Sequence, residues 1–138
     1  LDTISIALTA AETGHLVFST LHTMGAAKTI DRITDAFPSY QQNQVRLQLS
    51  TALKGVVSQQ LIKKKDDSGR VAAFEIMVAH PTIANLIREN KSNQILNVLQ
   101  TNRDLGMVTM DSYLAQLVKE DKISLESARA YSLDKSNF

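Results

Sequence analysis

Two of the three histidines in this sequence, His15 and His22, bracket the run HLVFSTLH, and Ser19, Thr20 and Thr23 lie inside or beside it. Imidazoles and hydroxyls serve metal coordination, nucleophilic catalysis and phosphate binding, and spacing separates these. On a strand, seven residues span roughly 23 Å and the two rings fall on opposite faces, so His15 and His22 do not share a metal ion. Ser19 lies mid-run with no G-x-S-x-G around it, which removes the exposed nucleophile turn of a serine hydrolase. The chain has no cysteine. That excludes disulfides, thiol nucleophiles and thiolate metal clusters, and agrees with a reducing compartment. No metal ligands are expected. What remains is a strand whose carboxyl end carries STLHT. Ligands of open α/β sheets bind outside the carboxyl ends of the strands, so His22 with Thr20 or Thr23 can offer donors to a phosphate there. A histidine that merely caps a strand end accounts for the same residues. The third histidine, His80, reads as a turn residue ahead of a helix.

Such a site needs elements to hold it. Ile4, Leu8 and Ala11 recur at helical spacing behind Asp2 or Thr3 as a cap, and Gly14 stands where a left-handed residue ends a helix, which predicts a helix over 3–13. HLVFSTLH is short, rich in strand formers and bounded by Gly14 and Gly25, and is expected to form a buried strand. A helix over about 25–36 comes next, closed by Phe37 and Pro38, because proline disfavours helical geometry in the residue before it. Val45, Leu49, Ala52, Leu53 and Val56 predict a long amphipathic helix. QQLIKKKDDSGRVAAFEIMVA reads as two strands around a DDSG turn. From Pro81 onward the pattern changes to short helices, with apolar stripes at Ile83, Leu86 and Ile87, at Ile95, Val98 and Leu99, and at Met107, Met110, Leu114, Leu117 and Val118. A last helix opens at Ser124. The change of pattern divides the chain into residues 1–78 and 79–138.

With 138 residues, 43% of them apolar, and a formal net charge of +1, the chain has the composition of a globular protein able to build a proper core. Fifteen basic residues against fourteen acidic ones leave no global positive field. Lys63, Lys64 and Lys65 run straight into Asp66 and Asp67, as in a solvated turn, and no nucleic-acid partner is expected. No apolar run approaches the roughly 20 residues of a membrane span, and no basic-then-apolar leader opens the chain, so an intracellular protein is expected, free to dock on a membrane machine. The chain opens on Leu1 and not on methionine, which suggests a piece of something larger.

The run LTAAETGHLVFSTLHT resembles the histidine box of the secretion-ATPase superfamily, the hexameric motors of type IV pili and type II secretion. The downstream motifs are similar too, and in the same order: AAKTIDRI, Phe37-Pro38 with an arginine-bearing helix, VVSQQLIKK, GRVAAFEIM, NLIRE and GMVTMDSYL. The absence of cysteine fits the pilus-retraction branch, because the extension and secretion ATPases usually carry a four-cysteine zinc element in this region. TIANLIRE (82–89) resembles the retraction signature AIRNLIRE and departs from it at Thr82 and Ala84, which leaves a retraction-type paralogue open.

The resemblance implies an α/β fold: the C-terminal half of a RecA-like P-loop ATPase core, residues 1–78, followed by a small helical subdomain, residues 79–138. It implies a homo-hexamer in the cytoplasm, at the inner face of the bacterial inner membrane. There it would act on the platform protein of the type IV pilus, with ATP and Mg2+ as ligands. His22 would lie near the terminal phosphate as a sensor. His15, Thr20, Thr23 and Arg46 are the further nucleotide-side candidates, with His15 fixing the helix-to-strand turn or touching a neighbour. An ordinary exposed helical arginine accounts equally for Arg46. Arg88 and Glu89 would belong to force transmission or an interface, or form the charged edge of a plain helix. No G-x-x-x-x-G-K-[ST] phosphate cradle occurs in the sequence. The resemblance implies that the chain starts just after the Walker B motif, and without the cradle it is expected not to hydrolyse ATP alone. Two alternatives stand beside this reading: a pilus-extension or secretion ATPase of the same superfamily, and a nucleotide-free interaction module.

Overall fold

The computed structural model describes residues 2–138. Helix α1 (Asp2–Glu12) opens with an acidic residue in its first turn, where the helix dipole favours one, and buries Leu8. It ends as the position of Gly14 predicts. Gly14 takes φ 96°, its N–H donates to the Ala11 carbonyl, and the His15 N–H donates to the Ala10 carbonyl, the two bonds of a Schellman motif. Residues 15–21 then differ from expectation. HLVFSTLH forms no strand, and Leu16 and Phe18 are 81% and 88% exposed. A strand exists only by pairing, and among the described residues no backbone lies in register beside this segment.

Helix α2 (Ala26–Asp35) buries Ala26, Thr29, Ile30 and Thr34, and Phe37 is buried just beyond it. Pro38 precedes helix α3 (Ser39–Ala52), which buries Val45 and Leu49 and stops where Leu53 turns extended. Val56, placed by its spacing on this helix, belongs instead to the next strand. Strands β1 (Gly55–Lys63) and β2 (Arg70–Val78) form an antiparallel hairpin registered from Gly55 opposite Val78 to Lys63 opposite Arg70. The pleat sends Ser58, Ile62, Ala73, Glu75 and Met77 inward and leaves Val57 and Leu61 exposed. The turn is tied by the Ser68 N–H, which donates to Asp66 Oδ1 at 2.9 Å.

Helix α4 (Pro81–Arg88) comes next, with proline in its first turn and His80 as its N-cap, the imidazole Nδ1 accepting from the Thr82 N–H at 3.2 Å. Helices α5 (Ile95–Thr101), α6 (Met110–Lys119) and α7 (Leu125–Tyr131) complete the chain, the last two capped by Thr109 and Ser124. Met107 lies ahead of α6 and not on it, buried in the core of the earlier helices. Next to it, Val108 exchanges both backbone hydrogen bonds with Ile76 of β2.

Two apolar clusters result. The first joins Leu8, Ile30, Val45 and Leu49 to Met77, Ile83, Ile87, Ile95 and Leu99. The second gathers Met110, Leu114, Leu117, Ile123 and Ala128 over Ile62 and Ala73 near the hairpin tip. Both clusters draw on the hairpin, which makes it the common wall between α1–α5 and α6–α7. No helix among the described residues is long and apolar enough to cross a membrane.

Candidate functional site

His22 lies on the irregular segment that leads into α2. Its side chain is exposed and has no hydrogen-bond partner among the described residues. The backbone immediately after it is fixed at three points. Thr23 Oγ1 is 2.7 Å from Thr29 Oγ1, and the Thr29 hydroxyl donates to the Gly25 carbonyl at 2.9 Å. The Gly25 N–H donates to Ser58 Oγ at 3.0 Å, and the Ala26 N–H donates to Glu75 Oε1 at 2.9 Å. Ser58 and Glu75 face each other directly across the hairpin on its buried face. One cross-strand polar pair thus receives two successive amides at the start of α2, donors that a helix leaves without partners of its own.

Gly25 fits this contact for two reasons. Its backbone takes φ 92° and ψ 156°, a region that side-chain-bearing residues rarely enter. A Cβ there would sit 3.1 Å from Glu75 Oε1. The sharp entry into α2 and the close approach to the hairpin both depend on the missing side chain.

The other candidates fall in different places. His15 is exposed at the end of α1, its Nδ1 3.2 Å from the Ala10 carbonyl and 3.3 Å from Thr13 Oγ1, so its ring helps close that helix. Thr20 is exposed with no partner among the described residues. Arg46 is half-buried and held by its own helix, donating to Asn43 Oδ1 at 2.9 Å and Gln42 Oε1 at 3.3 Å. Glu12, a helix-end carboxylate, accepts from Gln48 of α3 at 3.2 Å. On α4, Ile83 and Ile87 are buried and Leu86 is half-buried, leaving Arg88 exposed and donating to Asn85, and Glu89 exposed and paired with Lys91 at 3.0 Å. Among the described residues no three His, Cys, Asp or Glu side chains converge as a metal site.

Sequence reading does not single out Ser58 or Glu75. The signal is present in GRVAAFEIM, where a lone acid occupies an inward position of an otherwise apolar strand. An acid there needs donors nearby.

The α/β architecture and the order of its motifs point to one class: the type II/IV secretion system protein family is matched by residues 1–68. Within that class its likeness is to retraction motors. It is 57% identical over 128 residues to a twitching motility protein of Neisseria gonorrhoeae, covering 93% of this chain and 34% of that protein. It is 54% identical over 138 residues to the type IV pilus retraction ATPase PilT of Pseudomonas aeruginosa, covering all of this chain and 40% of that one. A crystal structure of the pilus retraction motor PilT with bound ADP superposes on all of this chain and 38% of its own, with a TM-score of 0.89 and 46% identity. The chain thus spans between a third and two fifths of the length of these relatives, and its fold is that of the C-terminal part of the PilT structure.

Proposed function

We propose that the protein to which this chain belongs is a hexameric motor that hydrolyses ATP to retract type IV pili and so drives twitching motility. The observation that carries the reading is the similarity to a retraction ATPase over all 138 residues at 54% identity. The exposed, unpartnered imidazole of His22, on backbone held from the hairpin side, supports a sensing role for it. A neutral imidazole donates one hydrogen bond and a protonated one donates a charge-assisted bond, so His22 suits a phosphate oxygen near neutral pH. Thr20 is assigned as a further hydroxyl donor. Thr23 holds the loop instead, because its one hydroxyl proton goes to Thr29 while the Thr29 proton goes to the Gly25 carbonyl. His15 sets the turn that leads into the segment, and Arg46 is assigned to a phosphate or a neighbouring subunit.

ATP supplies the phosphoryl bond whose hydrolysis powers the motor. The residues here fit one side of it only. Mg2+ takes oxygen ligands, carboxylates above all, and Glu75, the carboxylate that meets the start of α2, has both oxygens on backbone amides. The phosphate cradle and the magnesium ligands are therefore assigned to parts of the whole protein outside these 138 residues. When the terminal phosphate leaves, His22 loses its acceptor, and the arrangement of the loop that depended on that bond loses population. We place the hexamer in the cytoplasm at the inner face of the inner membrane, with the pilus platform protein as its partner. Residues 1–78 complete the ATPase core, and residues 79–138 pass its movement on through Arg88 and Glu89.

The test is calorimetric and kinetic. Mg-ATP should bind the whole protein, while the 138-residue chain alone should show no micromolar site. In the whole protein, His22→Ala should lower turnover by roughly a hundredfold, the scale of losing one transition-state donor, and leave ADP affinity close to wild type. Equal losses in turnover and ADP affinity would make His22 structural. Cells lacking the protein should keep pili they cannot retract; cells without pili would point to an extension motor.

A further inference from the structure

Glu75 is the one charged side chain among the buried polar residues described, 3% exposed, and it takes part in no ion pair among the described residues. Its two oxygens go to two different helices. Oε1 accepts from the Ala26 N–H at 2.9 Å, at the first residue of α2, and Oε2 accepts from the Met110 N–H at 3.2 Å, at the first residue of α6. A carboxylate at a helix N-terminus meets both unpaired amides and the positive end of the dipole, and this one meets two such ends at once. The α6 end is also tied to the neighbouring residue of β2, since Ile76 pairs with Val108 through both backbone bonds. At the other end, Ala26 lies four residues after His22.

We propose that Glu75 is a positioning residue that couples the His22 loop to the C-terminal helices, acting from β2 as a shared cap on the first amides of α2 and α6, beside the local N-caps Gly25 and Thr109. The two oxygens of the carboxylate are fixed relative to each other, so a shift of one helix start against the other bends or stretches one of its bonds. A stretched bond leaves a buried amide unpaired, which makes the coupled arrangement the cheaper one. A change in the phosphate contact of His22 moves the backbone at 22–26, and Glu75 carries that movement to the start of α6. This rests on the sensing role proposed for His22, but the shared cap itself does not.

Hydrogen exchange on the whole protein tests both parts. Without nucleotide, Glu75→Ala should speed exchange at the first turns of both α2 and α6 by about tenfold or more, the scale of losing a hydrogen bond to a charged group. Faster exchange at only one helix overturns the shared cap. In the wild type, replacing Mg-ADP by a non-hydrolysable Mg-ATP analogue should change protection at 22–26 and at 107–113 together. In Glu75→Gln, which leaves one amide facing a donor, the response at 22–26 should remain and the response at 107–113 should vanish. A response at 107–113 that survives in the variant, or never occurs in the wild type, overturns the coupling. Absence of nucleotide binding in the wild type overturns the motor reading, and the coupling with it, while the two exchange rates in Glu75→Ala still decide the shared cap. If neither variant folds, the wild-type protein decides: separate changes at 22–26 and 107–113 refute the link.

Discussion

Gly25→Ala probes the closest contact between the His22 loop and the hairpin, and the structure supplies a matched control. Gly25 and Gly14 have nearly the same φ, 92° and 96°, but an added Cβ at Gly14 meets nothing within 4 Å, whereas at Gly25 it lies 3.1 Å from Glu75 Oε1. Gly14→Ala should therefore cost only the left-handed backbone, about 1–2 kcal/mol. Gly25→Ala carries backbone strain of about 1–3 kcal/mol in a region nearly exclusive to glycine. It also forces Oε1 away from the Ala26 amide, and a hydrogen bond to a charged group contributes about 1.5–3 kcal/mol. Together these predict a loss of about 2.5–6 kcal/mol for Gly25→Ala. Denaturant midpoints of the whole protein, with hydrogen exchange at 22–30 to localise the loss, are the assay. If Gly25→Ala loses no more than Gly14→Ala, the carboxylate yields freely, and the claim that this contact fixes the entry to α2 is refuted.

Reversing both charges of α4, with Arg88→Glu and Glu89→Lys, removes only exposed contacts and should change stability by about 0–1 kcal/mol, leave ATP turnover near wild type and abolish twitching; intact twitching would remove the force-transmission role. Ile87→Ala on the same helix empties a site only 2% exposed and should cost about 2–5 kcal/mol, read as a lowered thermal midpoint. The Ser136 hydroxyl and N–H both donate to Asp134 and hold its carboxyl below the ordinary 3.8. Its folded value being depressed, that contribution is present above about pH 4 and is lost as pH falls through the lowered value. Carboxyl titration by NMR should show the depression, and Ser136→Ala should remove most of it.

The helices and the hairpin are legible in the sequence because their signals are local. Gly14 ends α1 with the Schellman bonds its position implies, Pro81 opens α4, and Ser124 caps α7. Each of these depends on a few neighbouring backbone groups. HLVFSTLH misleads for the opposite reason. Its composition has the character of a buried strand, but composition cannot provide the neighbouring strand that makes one, and Leu16 and Phe18 stand exposed without it. Val56 and Met107 are misplaced at element ends, where helical spacing continues by chance past the last helical residue or begins before the first.

The site divides in the same way. His22 is legible as a candidate because its residue type and its place at the end of an apolar run are properties of the sequence. What holds its loop is not, because Glu75 is 49 residues from Ala26 and 35 from Met110 along the chain. A pattern of period two registers Glu75 only as an interruption. Register explains the interruption: opposite Ser58, on the inward face, the acid lies where the start of α2 needs an acceptor, and its second oxygen faces the start of α6. A buried carboxylate without a cation is expensive unless donors surround it. Two helix starts provide those donors, so the acid that looks out of place in β2 becomes the point where the loop, the hairpin and the C-terminal helices are fastened together.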